Sequence, residues 1–226
     1  MEIKRLVFLL LAISSLWAKE SCFFIPPKGW EIADPKMLAP SVDICFLGKS
    51  SKGLAPTINL ATEVVDVSLD AYIEEVRKIH SADPNCRWRD LGKFTARIGN
   101  GRLMELETPT EFGAARMVQL VVIKESVAYI LTAAALKEEF SKYYKTFDAA
   151  LRSLQSSSNL VEAYPSKELK TLIDALLQKK ESCLEFEAIW KPFENKIIND
   201  FTEMGPYWQI LLLSEIRTQL LTLRSQ

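Results

Sequence analysis

The sequence predicts an α+β protein in which an antiparallel sheet is sandwiched by helices and followed by a C-terminal helical extension. Segments that alternate or are rich in β-branched residues, which is typical of strands, recur between residues 42 and 134. Two amphipathic helical patterns, at 68–81 and 136–155, accompany these strands. After the polar break Ser156-Ser157-Ser158-Asn159 only helical spacing remains, and this predicts the extension.

Composition places the chain among ordinary globular proteins. Of its 226 residues 48% are hydrophobic and 25% are charged, and 8 Gly and 10 Pro exclude a collagen-like chain. The 28 Lys and Arg residues balance 29 Asp and Glu residues, for a formal net charge of −1. A chain without an excess of positive charge offers no general field for nucleic acid, so no nucleic-acid partner is expected.

The N-terminus has the pattern of a secretory signal peptide. Lys4 and Arg5 precede the apolar run Leu6–Ala18, and polar Lys19 follows it. The 13 residues of this run would make a helix of about 20 Å, which is shorter than the ~30 Å hydrocarbon core of a bilayer. We therefore expect residues 1–18 to be removed and the mature chain to be exported, periplasmic and without a stable membrane span. The alternative is that the apolar run is retained and tethers the protein.

The strands and helices of the predicted sandwich follow one another in a definite order. The strand signals are at 23–25, 42–46, 57–65, 86–89, 93–98, 102–107, 116–123 and 127–134. The first helix begins at a cap, Ser68 or Asp66, and ends before Pro84, which disfavours helix in the preceding residue. Gly99-Asn100-Gly101 predicts a tight turn between two strands. The nearly continuous apolar run 117–123 predicts a central strand that is covered on both faces.

The extension carries a dense set of aromatic residues. Pro192 predicts a kink or a break between two helices, and Gly205-Pro206 predicts the start of a last one. The aromatic residues are candidates for a protein-contact surface, because Trp and Tyr anchor many interfaces. They are Trp190, Phe193, Phe201, Tyr207 and Trp208. The alternative, which we favour, is that they pack in cis on the sheet domain. The predicted organisation is thus a signal peptide at 1–18, a sheet domain at 19–155 and a helical extension at 156–226.

Four cysteines remain after signal cleavage, namely Cys22, Cys45, Cys86 and Cys183. None forms a Cys-x-x-Cys pair, so neither a redox-active motif nor a zinc ribbon is predicted. An exported chain permits disulfides, and Cys22 with Cys45 is the preferred pair because both lie on predicted neighbouring strands. The alternative is four buried thiols that act as small apolar residues.

Catalytic motifs are sparse. His80 is the single histidine, so any Ser-His-Asp or multi-histidine metal site would need it, and the end of a helix is a sufficient structural reason for its presence. Glu105 and Glu107 share a strand face and have Arg116 on a nearby strand. Paired carboxylates can do acid–base chemistry, but on a strand face they more often pair across the sheet. No catalytic residue, metal site or cofactor is predicted.

The order of elements and two short motifs resemble a known group of proteins. Pro27-x-Gly29-Trp30 follows the first strand, Pro56-Thr57-Ile58-Asn59 opens a later one, and Leu69-Asp70-Ala71-Tyr72 begins the helix before an antiparallel meander and a closing helix. Over residues 22–155 this is similar to the PsbP/Mog/DcrB-like superfamily. The resemblance implies an α/β/α sandwich and a function in binding other proteins without catalysis. The extension lies outside it.

These observations predict an exported, non-enzymatic protein-interaction or adaptor module of the bacterial cell envelope, with another envelope protein as its partner and the extension as its contact surface. The alternative is an envelope enzyme or small-ligand-binding protein that uses a cleft beside the sheet, near Glu105, Glu107 and Arg116.

Overall fold

The structure is a computed structural model that describes residues 21–50, 53–157, 159–160, 166–182, 186–202 and 206–222. The predicted signal peptide, residues 1–18, and Cys183 lie outside these ranges. No helix within them is both long enough and apolar enough to cross a membrane.

Between Ser21 and Ser157 the described residues form nine strands, two α-helices and one 3₁₀ turn, and the elements described after Ser157 are all helices. The strands are β1 (Ser21–Phe23), β2 (Glu31–Ile32), β3 (Val42–Leu47), β4 (Thr57–Val64), β5 (Arg87–Ala96), β6 (Gly99–Thr110), β7 (Gly113–Lys124), β8 (Val127–Leu136) and β9 (Gln155–Ser157). The helices are α1 (Leu69–Ser81), α2 (Phe140–Arg152), α3 (Lys167–Ser182), α4 (Phe186–Asp200) and α5 (Pro206–Thr222), with a 3₁₀ turn at Pro35–Met37.

Seven strands form one sheet in the order β2-β3-β4-β8-β7-β6-β5, and β1 pairs separately with β9. All the pairs are antiparallel, and β5 to β8 form a meander of consecutive hairpins. Successive side chains of β7 point to opposite faces, so that Val121 packs beneath α1 whereas Leu120 and Val122 belong to the core on the other face. The predicted fold class, an antiparallel sheet sandwiched by helices with a helical extension, is confirmed.

α1 covers one face of the sheet. Ser68 caps the helix through its Oγ, which accepts a hydrogen bond from the backbone N–H of Ala71 at 3.3 Å. Ile73 is the buried residue of this helix, and it packs with Met104 and Leu106 of β6. The predicted helix at 68–81 is therefore formed with the cap expected for it.

α2 lies on the opposite face, and buried residues of the three extension helices belong to the same continuous core. The ring of Trp208 lies 4.2 Å from that of Phe23, and the ring of Tyr207 lies 5.7 Å from that of Phe46. The Tyr207 hydroxyl donates to the carbonyl oxygen of Cys22 at 3.1 Å. The extension therefore packs in cis on the sheet domain, as the favoured alternative predicts.

This packing corrects the prediction that the aromatic residues of the extension form a contact surface for a partner. Each of its five aromatic side chains is less than 10% exposed: Trp190, Phe193, Phe201, Tyr207 and Trp208. Side chains buried in the core of the same chain are not available to a partner, so the aromatic spacing reports a core and not an interface.

The predicted polar break is also part of the fold. Gln155 and Ser156 belong to β9, which pairs with β1 opposite Phe23 and Cys22. Short serine-rich segments lack a strand's usual side chains, but the backbone can still pair when a neighbour presents an open edge. The 155/156 boundary thus falls inside a strand.

The preferred disulfide does not form. Cys22 lies in the β1-β9 ribbon, whereas Cys45 lies in β3 of the large sheet. Cys45 is a buried free thiol whose Sγ lies 3.8 Å from the carbonyl oxygen of Phe46, and burial raises its pKa. The expectation that these cysteines sit on neighbouring strands is wrong, because β1 pairs with a strand from the far end of the sheet domain.

Two predicted breaks lie elsewhere in the structure. The β5-β6 turn is formed by Arg97 and Ile98 rather than by Gly99-Asn100-Gly101, which begins β6. Gly101 is required there because a Cβ atom would collide with the carbonyl oxygen of Val121 on the neighbouring strand. Pro192 lies inside α4, so of the two predicted outcomes the break between helices does not occur there.

Candidate functional site

A groove of about 590 Å³ lies where three parts of the chain meet: the loop after β1, the β5-β6 turn and the second half of α2. This volume is within the range of about 300–1,000 Å³ that is usual for ligand sites. Four positively charged side chains and no carboxylate are among the described residues that line it. They are Lys28, Arg97, Lys145 and Arg152.

The first wall is the loop that contains Pro27-Lys28-Gly29-Trp30. The N–H of Trp30 donates to the carbonyl oxygen of Pro27 at 3.2 Å, and Gly29 has φ +79°, so these four residues form a β-turn whose third position favours glycine. This geometry places Lys28 at the exposed tip of the turn. Part of the motif on which the sequence resemblance rests thus shapes this wall.

The indole ring of Trp30 is held from two sides. It meets the rings of Tyr143 and Phe147 edge-on, with centroid distances of 6.3 Å and 6.2 Å. On another side it lies against Gly48, where a Cβ atom would come within 2.7 Å of the ring. Trp30 is half-buried and lines the groove, so it offers a fixed apolar surface there.

The second wall is the β5-β6 turn, which is bonded to the end of α2. The N–H of Arg97 donates to the carbonyl oxygen of Arg152 at 3.1 Å, and the N–H of Ile98 donates to that of Leu154 at 2.7 Å. The first bond satisfies a carbonyl group in the last turn of α2, where carbonyls have no partner within the helix, and the second fixes the chain just after the helix end. They also hold the Arg97 side chain at the rim of the groove.

The third wall is a stripe of α2. Lys145, Ala149 and Arg152 recur at steps of three and four residues and therefore share one side of the helix. At the helix end, the Ser153 hydroxyl accepts from the N–H of Ile25 at 2.8 Å and donates to the carbonyl oxygen of Ala150 at 2.7 Å. The three walls are thus connected by hydrogen bonds between elements far apart in the sequence.

The four cations differ in their surroundings. Arg152 is engaged, because its Nε donates to Asp148 Oδ2 at 2.8 Å and its guanidinium lies 4.7 Å from the centre of the Phe94 ring. Lys28, Arg97 and Lys145 are exposed, and in the described part of the chain no ion pair joins any of them to a carboxylate. The groove therefore presents three uncompensated positive charges in a chain of nearly zero net charge.

The cleft predicted around Glu105, Glu107 and Arg116 is not formed as a site. Glu107 accepts from Arg116 Nε at 2.8 Å and from Lys137 Nζ at 2.6 Å, and Glu105 accepts from Arg89 at 2.8 Å. Arg116 and Arg89 lie directly opposite the two glutamates on the neighbouring strands. The hydrogen bonds from Lys137 and Arg116 hold the pKa of Glu107 below its ordinary value. These carboxylates are cross-strand partners and not an acid–base pair.

His80 lies in the last turn of α1, with its Nδ1 3.9 Å from Cys86 Sγ. Burial lowers the pKa of His80 and raises that of Cys86, so both side chains favour their neutral forms. A neutral imidazole beside a protonated thiol lacks the thiolate that nucleophilic catalysis uses. His80 thus lies at the helix end, as predicted, and its surroundings fit the structural role expected for it.

Metal-ligating side chains do not converge elsewhere: across the described residues, no group of three or more His, Cys, Asp or Glu side chains is placed to hold an ion. The sequence alone does not predict the groove. The three lining cations that have no ion pair in the described structure come from positions 28, 97 and 145 and carry no local pattern. The sequence singles out two of the lining residues, Pro27 and Trp30, through the Pro27-x-Gly29-Trp30 motif.

No protein-family model matches the sequence, and no curated protein is similar to it. Similar solved structures include PsbP (CyanoP) of Synechocystis sp. PCC 6803, with 12% identity over 62% of this chain and 94% of that one, at a TM-score of 0.43. LpqN of Mycobacterium tuberculosis, described as involved in cell envelope biogenesis, has 12% identity over 61% of this chain and 84% of that one, at a TM-score of 0.48.

The Ran-binding protein Mog1p of Saccharomyces cerevisiae is also similar, with 14% identity over 58% of this chain and 81% of that one, at a TM-score of 0.37. The chain is thus similar to PsbP/Mog1-like folds, the group that its sequence resembles. A shared fold does not say what a chain binds, and the groove is therefore the better guide to function.

Proposed function

We propose that the protein is an exported, non-enzymatic binding module of the cell envelope, and that it contacts a partner protein through the groove between the Trp30 loop, the β5-β6 turn and α2. One observation carries the proposal. Lys28, Arg97 and Lys145 surround a fixed aromatic surface without carboxylate partners in the described structure. Like charges grouped around an apolar surface create a local positive potential, which attracts a partner of opposite charge.

The proposal moves the contact surface from the extension to the sheet domain. The extension contributes its aromatic residues to the core, and the groove supplies the exposed charge and apolar surface that a partner would need. It also replaces the alternative of an acid–base cleft, because Glu105 and Glu107 are already engaged in ion pairs.

Photo-crosslinking in intact native cells tests the contact. A photoreactive amino acid replaces Ala149, an exposed helical residue that lines the groove, or Ala71, an exposed helical residue of α1 that does not. We expect one discrete protein adduct from position 149 and none from position 71. The adduct should disappear in the groove variant, which combines Arg97→Glu and Lys145→Glu. No adduct at 149, the same adduct at 71, or an adduct that survives charge reversal would each contradict the proposal.

Export is tested separately by the intact mass of the protein purified from those cells. Cleavage after Ala18 keeps every described element in the mature chain, since β1 begins at Ser21. We expect a mass that starts at Lys19, in the periplasmic fraction. A full-length mass in the membrane fraction would instead support the tethered alternative.

A further inference from the structure

We infer that the occupant of the groove is an acidic, extended polypeptide segment, in which carboxylates separated along the chain pair with Lys28, Arg97 and Lys145 while an apolar side chain rests on Trp30. This inference rests on the proposed function, because it names the partner chemistry of the same site.

Charge is the first argument. The described lining carries positive side chains on each of its three walls and no carboxylate, and Arg152 is already engaged by Asp148. Three cations from three separate elements match several negative charges that are spread out, rather than one. A segment with Asp or Glu at intervals has that distribution, and opposite charge accelerates its encounter with the groove.

The backbone supplies the second argument, because it is poorly suited to a compact anion such as phosphate. Phosphate sites usually rest on free N–H groups at a helix N-terminus or in a loop. Here the N–H groups of Ile25, Trp30 and Arg97 are bonded within the chain, and Pro26 and Pro27 have none. In this loop that leaves the N–H groups of Lys28 and Gly29, at the exposed tip of the turn.

The apolar lining supplies the third argument. Ile25 is 48% exposed although it is a large apolar side chain, and it lines the groove together with Pro26, Pro27 and the half-buried Trp30. Aromatic and proline surfaces of this kind favour extended polypeptide, which can place alternate side chains on them. A free inorganic anion would leave this surface uncovered.

Selection from a library of short random peptides tests the inference while the partner is still unidentified. The purified mature chain serves as bait, beside the groove variant and a control variant with the same charge change in α3, Lys167→Glu with Lys170→Glu. Both α3 lysines are exposed and do not line the groove. We expect peptides enriched in Asp and Glu around an apolar residue from the wild type and the control, and no such enrichment from the groove variant.

One selected peptide is then titrated by fluorescence anisotropy against all three proteins. We expect affinity to fall at least about tenfold in the groove variant, to stay the same in the control, and to fall as salt is raised. Replacing the acidic residues of the peptide with Asn and Gln should abolish binding. Enrichment of neutral or basic peptides, no enrichment, or equal binding to the groove variant would overturn the inference.

Parallel measurements test two other candidate ligands of the groove, a lipid and a compact anion. If phosphatidylglycerol vesicles sediment the wild type but not the groove variant, and no peptide is selected, the groove recognises lipid and the inference is wrong. If inorganic phosphate competes fully with the selected peptide at low millimolar concentration, a compact anion site is present and the inference is also wrong. A crosslinked partner without acidic-peptide binding would leave the proposed function standing while refuting this segment as its basis.

Discussion

The two faces of the seven-stranded sheet are covered to very different extents. On one face α1 lies against β5, β6 and β7, and Ile73 packs there on Met104 and Leu106 in a small cluster. On the other face α2 and the extension form one core that runs from Phe23 at the start of the fold to Leu220 in the last helix. The extension is therefore part of the core of this protein, and we expect the sheet domain to depend on it for stability.

The largest effect should come from removing that layer. Ending the chain after Ser157 would expose the rings of Phe23, Phe24 and Phe46, which are at most 1% exposed in the full chain. Burial of large aromatic side chains supplies much of the stability of a small domain. We expect the truncated chain to lose its cooperative thermal transition and to bind a hydrophobic dye, measured by circular dichroism and fluorescence. A cooperative transition at the temperature of the full chain would show instead that residues 19–157 are an independent domain.

A single residue of the extension should reproduce part of this loss. Trp208→Ala removes a ring that is 7% exposed and in edge contact with Phe23, and truncations of this kind cost about 3–5 kcal/mol. The matched control is Ile210→Ala on the same helix, where the side chain is 56% exposed and the expected change is within about 0.5 kcal/mol. Urea unfolding measures both. A Trp208 effect as small as the control would contradict the shared core.

A smaller loss is expected from the corresponding change beneath α1. Ile73→Ala removes the buried residue of that helix, which packs in the smaller cluster. We expect a loss of about 2 kcal/mol in the free energy of unfolding, at the low end for such substitutions, because alanine also favours the helix. If Ile73→Ala costs as much as Trp208→Ala, the two faces contribute equally to stability and the contrast between them fails.

The sequence predicts the sheet domain well because its signals there are local. The alternation of β3 and β4, the cap at Ser68 and the apolar run of β7 each follow from residues that are neighbours in the chain. The predictions that failed concern residues whose structure depends on the neighbouring strand. A serine-rich segment becomes β9 because β1 presents an edge to it, and Gly101 begins a strand because Val121 lies too close for a side chain.

The candidate site could not be predicted in the same way. The groove requires the end of α2 to accept hydrogen bonds from the turn at Arg97 and the loop at Ile25, and these are contacts between residues more than 50 positions apart. No period or motif in the sequence encodes such a meeting. The composition gives no indication of the groove, because a formal net charge of −1 for the whole chain does not reveal a local excess of positive charge.

Glu107 shows what a satisfied charge contributes, in contrast with the groove. Its pKa is lowered by hydrogen bonds from Lys137 and Arg116, so its stabilising effect is present above the pKa of an unfolded glutamate, about 4.3, and is lost as pH falls through the folded value. We expect Glu107→Gln to cost about 1–3 kcal/mol at neutral pH. The difference between wild type and variant should shrink in unfolding measurements below about pH 4. A pH-independent difference would mean that packing, not charge, is lost.

The smallest effect on stability is expected at the groove. Arg97 and Lys145 are exposed and have no carboxylate partner within the described structure, so reversing their charge removes no ion pair. It also relieves repulsion with Lys28. We expect the free energy of unfolding of the groove variant to stay within about 0.5 kcal/mol of the wild type, measured in urea beside the Lys167→Glu, Lys170→Glu control. A clear loss of stability would show that these cations support the fold, and a loss of binding in the same variant would then no longer identify the groove as the contact surface.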